Sequence, residues 1–232
     1  MRLFLVLPSA ALAVLLWHRG GDLSRVTAIA LLADVGVCLL PWRLPRQERS
    51  GGSYWLETLA YVLPAGAVAV AGLAVGASWA VATPDPWWFL AGFGVGALLV
   101  KLSAIDLHAL VSGDLAFLAG ADKRSHAAAR AFAGSISPVT EEAFFRGAAL
   151  ALPAPTVVTA ALSPLAFVAR HHLVRGVPRT DRRVIAVELV GAILFTSLAV
   201  ASGSFYPALL GHLVNNAPVV VLEVQVAKQA IR

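Results

Sequence analysis

The chain has 232 residues, 59% of them hydrophobic and 13% charged, with a formal net charge of +5, whereas a soluble domain carries about 25% charged residues. With a mean hydropathy of +0.78, this composition excludes an ordinary water-soluble globule, and nucleic acid is a poor account of the basic balance because the arginines sit in short segments between apolar runs. Cys38 is the only cysteine, which excludes an intramolecular disulfide framework and a cysteine-rich metal site.

The apolar runs are too long for strands and lack strict alternation, so helices must satisfy the backbone in lipid. The predicted fold class is all-α: one integral membrane domain over residues 1–232, a polytopic bundle of about eight transmembrane helices. In chain order the spans are predicted at Leu3–Trp17, Val26–Trp42, Leu56–Val81, Trp87–Leu102, Pro138–Leu152, Pro155–His172, Val184–Ala201 and Phe205–Val226. Several fall short of the roughly 20 residues of a full crossing. Arg2, an apolar stretch and the Ala-Leu-Ala sequence at Ala11–Ala13 also fit a secretory signal, but the run continues to Leu16 and Trp17, which favours a retained helix.

Basic residues gather in alternate connections: Arg43, Arg46 and Arg49, then Lys123, Arg124 and Arg130, then Arg175, Arg179, Arg182 and Arg183. The intervening connections hold only Arg19 and Arg25 in the first, and none in Ala82–Pro86, Pro153–Ala154 or Ser202–Ser204. This asymmetry puts both termini in the cytoplasm, and Arg2, Lys228 and Arg232 agree. Arginine far outnumbers lysine beside abundant Ala, Val and Gly, the usage of a GC-rich bacterial gene. The expected location is therefore a bacterial inner membrane.

Trp87 and Trp88, after the turn Pro84-Asp85-Pro86, read as an aromatic anchor at the outer interface. Gly92, Gly94 and Gly96 read as sites of close helix packing. The longest connection, Val111–Ser137, mixes Asp114, Asp122, Lys123, Arg124, His126 and Arg130 with alanine and phenylalanine, and reads as an amphipathic helix on the cytoplasmic surface.

Ionisable groups inside spans are costly, so they direct attention to function. The densest set is Glu141, Glu142 and Arg146. Ser137 and Pro138 before it read as an N-cap and a first-turn proline, putting both carboxylates in the first turns of a helix. Glu142 and Arg146, four apart, make the favourable helical ion pair. Glu141, turned about 100° away, is left without that partner. Desolvation there makes it a stronger base, suited to take a proton from water. A carboxylate pair favoured by the helix dipole is the bland alternative. Phe167 and His171 recur four apart with His172 adjacent, and His212 and Asn216 recur four apart with Asn215 adjacent. A lone histidine at a helix end is more often a capping group, and the last pair also fits helix-to-helix polar packing.

Taken together and in order, EExxxR (Glu141-Glu142 to Arg146), FxxxH (Phe167 to His171) and HxxxN (His212 to Asn216) resemble the motifs of the CAAX protease and bacteriocin-processing (CPBP, ABI) family of intramembrane endopeptidases. The resemblance covers residues 137–218, the expected catalytic core. It implies that Glu141 and His171 activate a water for attack on a peptide carbonyl, and that His212 and Asn216 stabilise the oxyanion. It also implies that Glu142 and Arg146 hold the helix and orient Glu141, that Phe167 packs, and that no cofactor is needed. The substrate would be a membrane-associated protein or peptide tail entering from the cytoplasm or inner leaflet, with the lipid bilayer as surroundings and no nucleic acid involved. The doubled His171-His172 and Asn215-Asn216 depart from a clean pattern, and the family spacing selects His171 and Asn216. Arg170, beside His171, reads as a contact for a substrate carboxylate or lipid phosphate.

Three alternatives stand beside this reading. Glu141, His171 and His212 could supply three zinc ligands, although no HExxH helix is present. The same residues could form the proton relay of a transporter, or the polar core of a non-catalytic membrane partner or immunity protein. No residue pattern specifies an oligomeric state or the cleaved bond.

Overall fold

A computed structural model describes residues 2–18, 21–39, 50–75, 82–119, 124–148, 150, 157–175 and 182–229. The basic positions Arg19, Arg43, Arg46, Arg49, Lys123, Arg179 and Arg232, together with Asp122 and Pro153–Ala154, lie outside the described residues. Every regular element among those described is helical: α1 (Arg2–His18), α2 (Asp22–Leu39), α3 (Gly51–Val75), α4 (Pro86–Leu102), α5 (Leu107–Ser112), α6 (Asp114–Ala119), α7 (Arg124–Glu142), a π-helical segment (Ala143–Ala148), α8 (Val157–Arg175), α9 (Arg182–Ser202) and α10 (Tyr206–Gln229).

The described part of each apolar run is helical, in the fifth as the end of α7 and the π-helical segment, so the all-α expectation holds, while a bundle of eight spans does not follow. Only α9 and α10, with mean hydropathies of 2.3 and 1.3, are long and apolar enough to cross a membrane among the described residues; the apolar stretches Phe4–His18 and Pro86–Leu102 are shorter. Large apolar side chains face outward from several of these helices: Phe4 and Leu7 on α1, Leu90 and Phe93 on α4, Val190 and Ile193 on α9. Hydrocarbon tolerates such a surface and water does not.

The fifth predicted span needs the largest correction. Its helix does not start at Ser137 and Pro138: α7 begins at Arg124 and runs through both, and Ser137 and Pro138 are buried. A proline inside a helix leaves the carbonyl four residues back without its N–H. Here that carbonyl belongs to Gly134, and it accepts a hydrogen bond from Asn216 Nδ2 of α10 at 3.2 Å. The helix continues because a distant side chain satisfies the orphan. Consequently Glu141 and Glu142 end α7 rather than begin a helix, and the dipole account of the pair fails. From Arg124 onward the preceding stretch does not lie on the surface either. His126 stacks on Tyr54 of α3 with ring centroids 4.5 Å apart, Ala127 packs with Val226 of α10, and Arg130 grips Glu223 of α10 through two 2.7 Å hydrogen bonds.

Helix α10 packs against α7, α4 and α9, while α1 and α2 pack on α8, and α3 packs on α7 and the π segment. The first run is a core element: Leu12 and Leu16 are fully buried in one cluster with Phe144, Phe145 and Phe167. Trp87 and Trp88 stack on each other at 3.8 Å at the start of α4. Two of the three α4 glycines bring α4 onto α10. A Cβ on Gly92 or Gly96 would overlap the carbonyl oxygen of Pro207 or Gly211 respectively, whereas one on Gly94 meets nothing within 4 Å. Gly96→Val should therefore cost about 1–3 kcal/mol by overpacking, read as a lower thermal midpoint in detergent, while Gly94→Val leaves the midpoint in place. Equal midpoints for the two variants would contradict the close approach.

Candidate active site

The site is built where the end of α7 meets α3, α8, α9 and α10. Directly after Glu142 the backbone widens into the π-helical segment, all six residues of which are buried; such irregular turns are common beside functional groups. Ser163 of α8 donates to the Phe145 carbonyl at 2.9 Å, tying the segment to α8.

The two carboxylates have different partners. Glu141 is 1% exposed, yet it is not alone. Its Oε1 accepts from Tyr61 Oη of α3 and from an Nη of Arg170 of α8, both at 2.8 Å. Its Oε2 carries no hydrogen bond to the described residues and lies 3.7 Å from His171 Nε2. The expectation of an unpartnered Glu141 is thus corrected: rotation away from Arg146 removes one arginine, and another helix supplies a second. His171 Nδ1 is 3.0 Å from the Phe167 carbonyl. A carbonyl can only accept, so Nδ1 holds a proton and Nε2 is the ring nitrogen turned toward Glu141.

Glu142 pairs with Arg146 at 3.3 Å, both side chains fully buried, as the spacing predicts. Its Oε1 also lies 2.8 Å from His212 Nδ1. The carboxylate therefore holds His212 as well as Arg146. Arg146 further donates to the Ala192 carbonyl at 3.2 Å and lies 4.4 Å over the Phe167 ring. Phe167 meets His171 with centroids 4.4 Å apart and His212 edge-on at 5.8 Å, and Phe195 stacks on the other side of His212 at 5.3 Å. The one phenylalanine separates and steadies both histidines.

A cavity of about 450 Å³ opens onto this arrangement, lined by His171, His212, Asn215, Asn216, Phe167 and Phe195, with Leu102, Ser103 and Arg183 toward one end. From Arg183 to Phe195, α9 rises about 18 Å at 1.5 Å per residue. Of the doubled residues, His172 turns away to Glu188, with Nε2 at 2.9 Å. Asn215 and Asn216 both reach the cavity, Asn216 being the one tied to Gly134.

Arg170 is not available to a lipid phosphate or substrate carboxylate: it is 1% exposed. Beyond Glu141 it binds Asp34 of α2 through Nε at 2.5 Å and an Nη at 3.1 Å, and donates to the Tyr61 carbonyl at 2.9 Å. Asp34 and Tyr61 belong to no motif. The signal that points to Asp34 and Arg170 is a matched pair of opposite charges in two otherwise apolar runs. Tyr61 has no comparable signal. Among the described residues, no three His, Cys, Asp or Glu side chains converge as a metal-ligand set.

Residues 124–218 match the family model described as Type II CAAX prenyl endopeptidase Rce1-like. No curated protein and no solved structure matches the chain.

Proposed function

Starting from a chain that belongs, through residues 124–218, to the Rce1-like type II CAAX endopeptidase family, we propose that it is an intramembrane glutamate endopeptidase cutting a membrane-associated protein or peptide tail. The observation that carries this reading is the 3.7 Å gap between Glu141 Oε2 and His171 Nε2. It is too wide for a direct hydrogen bond and suited to one water held by both groups. As the water oxygen attacks the scissile carbonyl, one of its protons passes to Glu141 Oε2, and collapse of the tetrahedral intermediate returns that proton to the departing amine. His212, whose Nδ1–H is held by Glu142, turns Nε2 to the substrate and donates to the oxyanion in its doubly protonated form. The Glu142 carboxylate balances that charge. Asn216 keeps a second amide N–H beyond the one given to Gly134, and it supports the same oxyanion.

The proposal includes a multi-pass arrangement in a bacterial inner membrane with cytoplasmic termini, carried by the arginine distribution. In that orientation Lys101, Arg182 and Arg183 mark the cytoplasmic ends of α4 and α9, and the cavity receives substrate from that side. A transporter or silent partner would need the same polar residues but no water activated against a peptide bond.

The test is hydrolysis of quenched, membrane-anchored peptides by purified protein in liposomes, with and without a chelator, beside His171→Ala. Cleavage that survives chelation and falls at least about a hundredfold in the variant is the expected result. Loss of cleavage on chelation would replace the glutamate mechanism by a zinc one. Equal rates for His171→Ala and wild type would overturn the proposed pair.

A further inference from the structure

We infer that Tyr61, Arg170 and Asp34 are positioning residues that make Glu141 a one-sided base, confining proton uptake to the oxygen that faces His171, whose ring lines the cavity. This rests on the endopeptidase reading and adds to it three residues outside the three motifs.

A carboxylate oxygen has two lone-pair sites in its plane. Both sites on Glu141 Oε1 are occupied, one by Tyr61 Oη and one by an Nη of Arg170, each at 2.8 Å. A proton taken from water therefore has only Oε2 to go to. Oε2 is the oxygen without a hydrogen bond among the described residues, 3.7 Å from His171 Nε2. The O–H bond of water breaks, the new C–O bond forms, and the proton stays on the side of His171, where the leaving nitrogen can collect it when the C–N bond breaks. Were Oε1 open, the proton could be stranded on the far side of the carboxyl group.

Arginine and carboxylate prefer a two-pronged contact in which both oxygens are covered. On Glu141 that contact would occupy Oε2 with an N–H and silence the base. Asp34 prevents it by taking the other edge of the guanidinium, with Nε at 2.5 Å and an Nη at 3.1 Å, so that a single Nη remains directed at Glu141. The Tyr61 ring lies 4.0 Å beneath the guanidinium carbon and holds its plane. Helix α2 thus acts on the reaction centre through α8, and α3 acts on it directly.

The experiment uses the full chain in liposomes and separates kcat from KM for wild type, Tyr61→Phe, Asp34→Asn and Glu141→Gln on one membrane-anchored peptide. Tyr61→Phe removes a hydroxyl and little else. It is expected to lower kcat about tenfold with KM within twofold, because it disturbs the base and not the binding cavity. Asp34→Asn weakens the hold on the guanidinium and is expected to lower kcat further, again with KM unchanged. A Tyr61→Phe enzyme with wild-type kcat overturns the inference, whether or not Asp34→Asn folds. If instead Glu141→Gln itself cleaves at the wild-type rate, the endopeptidase mechanism falls and the positioning falls with it. An inactive Glu141→Gln beside a fully active Tyr61→Phe would sink the positioning alone.

Discussion

Glu141→Gln is expected to reduce peptide cleavage about a thousandfold in kcat, while the thermal midpoint stays at or above that of the wild type. Removal of a general base typically costs a factor of 10²–10⁴. Glutamine keeps the volume of the side chain and a carbonyl oxygen for Tyr61 and Arg170, so the geometry around Oε1 survives. What is lost is the capacity to take a proton. Stability is protected by the local charges. Asp34 and Glu141 are two carboxylates sharing one buried guanidinium, and neutralising Glu141 leaves a balanced Asp34–Arg170 pair. Most substitutions of a buried charge fail because an uncompensated partner remains; this one removes an excess charge. A stable variant with unchanged cleavage would end the glutamate-base reading. A variant that does not fold would show that Glu141 is a structural member of the network.

The same network shows where the sequence is legible. Apolar runs and punctuation by Pro, Gly and Arg give the helices, because each signal is local: a run of Leu, Ala and Val needs no knowledge of its neighbours to be helical in lipid. The pairing of Glu142 with Arg146 is local too, one turn apart on one helix. Pro138 is the counterexample. After Ser137 it has every local mark of a helix start, and α7 passes through it because Asn216, 82 positions from Gly134, fills the vacant place on the backbone. No window of sequence around Pro138 contains that information. The environment of Glu141 is hidden for the same reason. The helical wheel correctly takes it away from Arg146, but Tyr61 and Arg170 come from other helices. Of the doubled histidines, spacing selects His171, and the structure turns it to Glu141 while His172 turns to Glu188. The ordered motifs bring His171 and His212 to one cavity, with Glu141 and Glu142 buried beside them, which spacing within each helix could suggest but only packing between helices could assemble.

The second large effect belongs to Arg146. Arg146→Met should cost about 3–5 kcal/mol, the penalty for leaving one member of a buried ion pair without the other, seen as aggregation or a collapsed thermal midpoint in detergent. Arg146 is 0% exposed. Its removal leaves the Glu142 carboxylate facing only His212, takes one of two side-chain donors from the Ala192 carbonyl and strips the cation from the Phe167 face. The double substitution Glu142→Gln with Arg146→Met separates structure from chemistry. With both charges gone the core holds apolar and neutral groups of similar volume, and folding should recover most of the loss, as replacement of a whole buried pair commonly permits. Cleavage should not recover. His212 then lacks the carboxylate that balances its doubly protonated ring, and the oxyanion loses its charged donor, a contribution of several kcal/mol when preorganised. The measurement is the thermal midpoint and kcat of the single and double variants together. A double variant that is both stable and fully active would show that the Glu142–Arg146 pair only holds the helices, and that His212 does its work without a negative charge behind it.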